Sequence, residues 1–172
     1  MDVAVIDKEV SEFKKEPIAI PNQDYQRAIE QAYAAIRSSD GCVPGNFFPL
    51  THQFANGMYI RTIFVPKGYM VLTYVHKQSH PAFQLKGDTT VIEPTGNKRI
   101  KGQHQFITAA GTQRLCYCHE DTIWTTVHLN LNNETDIDKI EKEIYASHYS
   151  ELFIETKKGE LSFMDENTEV KA

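Results

Sequence analysis

Several features are scarce in this sequence, and each scarcity removes a class of function. Basic charge is outweighed: 18 lysines and arginines stand against 23 aspartates and glutamates, a net charge of −5. Such a chain has no broad positive field to hold phosphate backbones, and Lys77, Lys86, Lys98, Arg99 and Lys101 are interrupted by other residue types, so no nucleic-acid partner is expected. No run approaches the roughly 20 apolar residues of a membrane span. The N-terminus carries Asp2, Asp7 and Glu9 rather than a basic region followed by an apolar one, so a cytoplasmic protein without a membrane partner is expected. Cysteine is limited to Cys42, Cys116 and Cys118, an odd number that builds no disulfide framework and fits free thiols in a reducing compartment. Gly-x-Ser-x-Gly, a phosphate loop and Gly-x-Gly-x-x-Gly are missing. Serine hydrolase, nucleoside triphosphatase and dinucleotide dehydrogenase lose their weight with them.

What is present is one patterned stretch between two charged ends. With 41% apolar residues the 172-residue chain can bury one substantial core. Residues 1–21 are charged and poorly patterned, and Pro17 and Pro21 break a helix there, so they read as an N-terminal arm. Tyr25, Ala28, Ile29, Ala32, Tyr33 and Ile36 recur at three- and four-residue steps, which predicts a helix over 24–38 packed outside the main body. Val43 to Gly57, rich in prolines and phenylalanines, reads as a covering loop. From 58 to 131 seven short strands are predicted: Met58–Val65, Tyr69–Val75, Ala82–Ile92, Lys98–Lys101, Gln105–Thr108, Gln113–Cys118 and Ile123–Leu129. The turn residues between them fall at intervals typical of an antiparallel barrel or sandwich. Thr135 is placed to cap a helix over 136–145, with Asp138 at the acidic capping-box position. Residues 149–172 form a charged tail, leaving 22–148 as the single domain.

The stretch Gly68-Tyr-Met-Val-Leu-Thr-Tyr74-Val-His76-Lys-Gln-Ser-His80-Pro-Ala-Phe-Gln-Leu-Lys-Gly87 resembles the first cupin motif in all its intervals. Its occupants depart from that motif: Tyr74 stands in the first histidine slot, His76 in the second and His80 in the glutamate slot. The second motif is fainter, with Gly102, Ala109-Ala110-Gly111, then Arg114 in the histidine slot and Cys118 in the asparagine slot, after an interval one residue too long. As a whole, the run from Tyr59-Ile-Arg to Lys139-Ile-Glu resembles the small cupin-like (RmlC-like jelly-roll) proteins of tailed bacteriophages, over about two thirds of the chain. The resemblance implies an all-β double-stranded β-helix barrel with flanking N- and C-terminal helices, a phage origin and hence the host cytoplasm, and pairing as a homodimer. It implies no established activity.

Alternation along strands suggests what lies inside. Residues two apart share a face, so Met70, Leu72, Tyr74 and His76 are expected to line the interior, as are Arg114, Cys116 and Cys118, and Trp124, Thr126 and His128. That is more polarity than a solid apolar core tolerates unpaired, and a ligand cavity accounts for it. Tyr74, His76, His80, Arg114 and Trp124 are the expected ligand-binding residues. The first reading is a module for a small anionic ligand, because a guanidinium at Arg114 opposes a cation and favours a carboxylate or phosphate. The alternative is a cupin-type isomerase or oxygenase holding zinc, iron, manganese or nickel on His76, His80 and His128, although a usual site takes three or four protein ligands. A third reading is a structural homodimer with a vestigial pocket. Trp124 belongs more often to a core than to a stacking platform, Cys116 and Cys118 read first as small buried thiols, and Asp121 as a turn acid rather than a catalytic one.

Overall fold

Antiparallel pairing along alternating segments builds the body of the fold. A computed structural model describes residues 21–44, 47–149, 153–155 and 161–163. Its strands are β1 (Leu50–Ala55), β2 (Gly57–Val65), β3 (Met70–Leu72), β4 (Val75–His76), β5 (His80–Lys86), β6 (Asp88–Glu93), β7 (Gly96–Lys101), β8 (His104–Thr108), β9 (Leu115–Cys118), β10 (Thr122–Asn130), β11 (Tyr145–Ala146), β12 (Phe153–Glu155) and β13 (Leu161–Phe163). Its helices are α1 (Gln23–Arg37) and α2 (Ile137–Ile144). One sheet runs β1-β2-β10-β5-β8, a second β3-β9-β6-β7, and β4 pairs with β11 and β12 with β13. Taking β2, β3 and β5 to β10 as strands one to eight, the sheets read 1-8-3-6 and 2-7-4-5. That interleaving of two Greek keys is a jelly roll, the all-β barrel with flanking helices expected from the sequence.

The inward faces of the two sheets meet in apolar clusters. Val91, Ile100 and Cys116 of the four-stranded sheet pack on Phe106 and Trp124 of the other, and Val65 meets Cys118 and Phe48 at the far end. Helix α2 closes one side by setting Ile140 and Ile144 on Tyr59. Helix α1 buries only Ile29 fully. It is also held by its tyrosine: Tyr25 Oη lies 3.0 Å from the carbonyl oxygen of Ile92 and 2.8 Å from that of Gln113.

Four local expectations are corrected. Leu50–Ala55 is a strand rather than part of a covering loop, because Asn56-Gly57, with Gly57 at φ 75°, turns it tightly onto β2; Asn-Gly is a strong hairpin signal. Ala82–Ile92 is two strands, broken at Gly87 (φ 126°), where the chain leaves one sheet for the other. Tyr69–Val75 is interrupted too: β3 ends at Leu72 and β4 pairs with β11 instead of β9. The cap of α2 is Asp136, whose carboxylate accepts from the backbone N–H of Asp138 and Lys139, while the N–H of Thr135 donates to Glu134. Apart from Pro21, the expected N-terminal arm lies outside the described residues. So does the tail, apart from Tyr149, β12 and β13.

Position 87 tests the corner. A Cβ there would sit 2.8 Å from Thr122 Cβ and 2.9 Å from its Cα, in a backbone region that L-residues avoid. Gly87→Ala is expected to lower unfolding free energy by at least about 2 kcal/mol, combining backbone strain and steric displacement. Urea denaturation reads it, and parent-like stability would contradict the corner as described.

Candidate ligand cavity

Residues of one parity on each of four strands face the interior. Arg61, Ile63 and Val65 of β2, His80 and Ala82 of β5, Cys116 and Cys118 of β9, and Trp124 and Thr126 of β10 line a cavity of about 150 Å³. The wall divides into two zones. Ile63, Val65, Val71, the two thiols and Trp124 make an apolar part, and Arg61, His76, His80, Thr108, Arg114 and Tyr145 a polar one. The thiols are free and buried, and burial pushes Cys116 up to about 12, so both stay protonated and act as small apolar groups.

Three imidazoles meet at the polar zone. The His76 and His80 rings are 4.4 Å apart between centroids, His80 and His128 4.2 Å, and His76 and His128 6.3 Å. All three residues are buried. Burial lowers the pKa of each; His128 falls to about 3, with His80 and Arg61 adding to the effect. Arg114 lowers His76 and His80 further. The cluster is therefore neutral at pH 7. His80 Nδ1 lies 3.1 Å from the Gln78 carbonyl oxygen and His128 Nε2 3.1 Å from the Thr126 hydroxyl. His76 Nδ1 and His80 Nε2 are buried with no hydrogen-bond partner.

Two guanidiniums stand beside the cluster in different states. Arg114 Nε donates to the Glu93 carboxylate and Nη1 to the Thr108 hydroxyl at 2.8 Å, and the group lies 5.0 Å from the centre of the Phe106 ring. Its charge is answered inside the protein. Arg61 reaches only 3.8 Å from Glu141, and its Nε is buried without a hydrogen-bond partner.

Of the expected ligand-binding residues, His76, His80, Arg114 and Trp124 come together on the cavity wall, and Tyr74 joins them at the rim. Tyr74 does not share the inward face of His76. It is 53% exposed and stacks on Tyr145 with centroids 5.5 Å apart. Met70, expected inside with it, is also exposed, while Val71 packs inward. The break after Leu72 causes this, since alternation persists only along an unbroken strand. His128 packs on His80 and is buried. Among the described residues no group of three or more His, Cys, Asp or Glu side chains is posed to hold a metal ion. Two of the three expected donors keep a free nitrogen, and the Nε2 of the third is engaged with Thr126.

Arg61, Glu93, Thr108 and Tyr145 are additions to the sequence reading. Arg61 was detectable as the one charge on the inward face of β2, between Tyr59 and Ile63. Glu93 was not, because it gains meaning only through Arg114, 21 residues away. Asp121 bonds backbone as a turn acid does, though across the fold, accepting from the Lys67 N–H at 3.0 Å.

No family model matches the chain, and no curated protein sequence does. Solved structures similar to it include a double-stranded β-helix protein of Klebsiella pneumoniae (15% identity, 54% of this chain and 85% of that one, TM-score 0.43). A cupin superfamily protein of Desulfitobacterium hafniense gives 9% identity over 51% and 81% of the two chains, with a TM-score of 0.42. A cupin-2 domain protein of Shewanella frigidimarina gives 8% over 48% and 80%, with a TM-score of 0.40. The assignment of the barrel rests on its own strand order. No helix among the described residues is long and apolar enough to cross a membrane.

The Arg114–Glu93 pair sets an expectation for stability. Arg114→Ala leaves a partly buried carboxylate and the Thr108 hydroxyl without their donor, and is expected to cost about 2–3 kcal/mol. Arg99→Ala removes an equally well-formed pair with Asp88, but Arg99 is half exposed, so its loss should be clearly smaller. Parallel urea titrations compare them, and equal losses would show that burial does not set the difference.

Proposed function

We propose that this jelly-roll protein binds a small anionic molecule inside its barrel. The observation that carries the reading is Arg61, a guanidinium on the cavity wall with a buried Nε lacking any acceptor. Beside it are neutral imidazoles with two more unpartnered nitrogens. Buried donors without acceptors are costly, and a bound acid relieves that cost. Arg114 supports the reading differently from first expectation: with Glu93 as its partner it frames the site, and Arg61 is the freer cation. A cavity of about 150 Å³ is well below the ~300–1,000 Å³ of common ligand pockets. The ligand is therefore a small metabolite rather than a nucleotide. The phage resemblance supports binding of such a metabolite in the host cytoplasm.

A divalent metal on His76 and His80 is the second reading, and one observation favours it. The Gln78 carbonyl holds His80 by Nδ1, as outer-shell carbonyls orient metal-bound imidazoles, leaving Nε2 bare. Against it stand two guanidiniums beside the cluster.

The outer face of the five-stranded sheet supports a homodimer. Opposite to the cavity-facing residues, β2 and β10 present Ile60, Thr62, Phe64, Ile123, Thr125 and Val127, with no charge among them, and Thr62 and Thr125 bond each other at 2.8 Å. Ile107 and Leu129 extend this face and are each 64% exposed. Five strands spaced ~4.8 Å make a patch of roughly 600 Å², near the ~800 Å² per partner of a stable interface. An uncharged face offers a charged partner nothing, whereas a second copy matches it.

Two measurements test these proposals. Melting temperature is recorded with a panel of small carboxylates, phosphate and sulfate, and separately with zinc, iron, manganese and nickel. The expected result is stabilisation by at least one anion, lost in Arg61→Gln, because a ligand of the folded state raises stability by mass action. Stabilisation by metals alone, lost in both His76→Ala and His80→Ala, would replace the first reading with the second. Light scattering should give twice the chain mass for the parent and one chain mass for Ile107→Lys/Leu129→Lys; a monomeric parent at tens of micromolar sinks the dimer.

A further inference from the structure

The cavity wall makes two opposite demands on a ligand. Arg61 Nε carries a proton and lacks an acceptor, and its contact with Glu141 at 3.8 Å is too long for a hydrogen bond. His80 demands the reverse. The Gln78 carbonyl oxygen only accepts, so His80 Nδ1 carries the ring proton, and the neutral ring presents a lone pair at Nε2, which is buried without a donor. A simple carboxylate is acceptor-only and answers Arg61 but not His80.

Size and lining narrow the class further. A cavity of about 150 Å³ is the volume that takes a benzene-sized body, which is about six to eight heavy atoms. Arg61 and His80 both line this one space. The rest of the wall, with Ile63, Val65, Val71 and Trp124, is apolar and suits a branched hydrocarbon rather than a second polar group.

We propose that the ligand is a small 2-hydroxy carboxylate with a branched aliphatic body. Its carboxylate accepts from Arg61, its hydroxyl donates to His80 Nε2, and its body lies against Val71 and Trp124. Donor and acceptor sit on adjacent carbons of such a molecule, so one ligand meets both demands. Tyr74 and Tyr145 stack on each other where they line the cavity. This assignment rests on the anionic-ligand reading above.

The test uses the full chain and three acids: 2-hydroxy-3-methylbutyrate, 3-methylbutyrate, which lacks the hydroxyl, and 2-methoxy-3-methylbutyrate, which keeps the oxygen but cannot donate. Calorimetry should show the hydroxy acid binding at least tenfold more tightly than either, since a site built for a hydroxyl is left with an unpaired buried group by analogues without it. His80→Phe should level the three, and Arg61→Met should weaken all of them at least tenfold. Equal binding of the three acids by the parent overturns the hydroxyl assignment and leaves the anionic reading standing. Binding of none overturns the ligand class, and the anionic reading then stands or falls on the wider anion panel. Should His80→Phe fail to fold, the parent's comparison of 2-hydroxy-3-methylbutyrate with the smaller 3-methylbutyrate decides the matter alone.

Discussion

The polar end of the barrel depends on how one guanidinium is held. Arg114 precedes β9, and its backbone N–H donates to the Thr73 hydroxyl at 2.9 Å while its carbonyl accepts from the Thr73 N–H, also at 2.9 Å. Its side chain reaches Glu93 at the end of β6 and Thr108 at the end of β8, across the face of Phe106. One residue thus ties the link between β3 and β4 to strands of both sheets. It does so at the level where His76 and His80 enter, and in a place where an unpaired charge would be costly. The two histidines keep their neutral state partly because this cation is fixed beside them.

That arrangement explains why the cavity has two zones. Glu93 answers Arg114, so a strong positive group can border the imidazoles without leaving net charge in the barrel. Arg61 has only a distant carboxylate and remains the group with electrostatic work left to do. Toward the other end, Val65 and Cys118 meet under Phe48. The proposed ligand, with one charged end and one hydrocarbon end, matches this division.

Much of the architecture was legible in the sequence, and the failures have definite causes. Alternation in Trp124-Thr-Thr-Val-His128 placed Trp124 and Thr126 on the cavity wall with His128 behind them, because β10 runs unbroken from Thr122 to Asn130. The same rule misplaced Tyr74 and Met70, because β3 stops at Leu72 and the chain changes partners before His76. The strand Leu50–Ala55 escaped because its neighbours, Pro44, Phe47 and Pro49, read as loop, whereas the informative dipeptide was Asn56-Gly57 at its far end. Glu93 lies beside Pro94, where no motif marks it. Its role exists only once folding brings Arg114 to it, and no local pattern carries that information.

The two thiols in the barrel wall have one further consequence. Cys42 is exposed, while Cys116 and Cys118 are buried and protonated. A thiol reagent would modify the first at its intrinsic chemical rate and the other two only when the sheets part or the rim opens. Within one molecule the chain therefore carries a clock for breathing of the barrel, with an internal reference beside it. Slower modification of the inner pair alone would report that the interior is occupied, whatever occupies it.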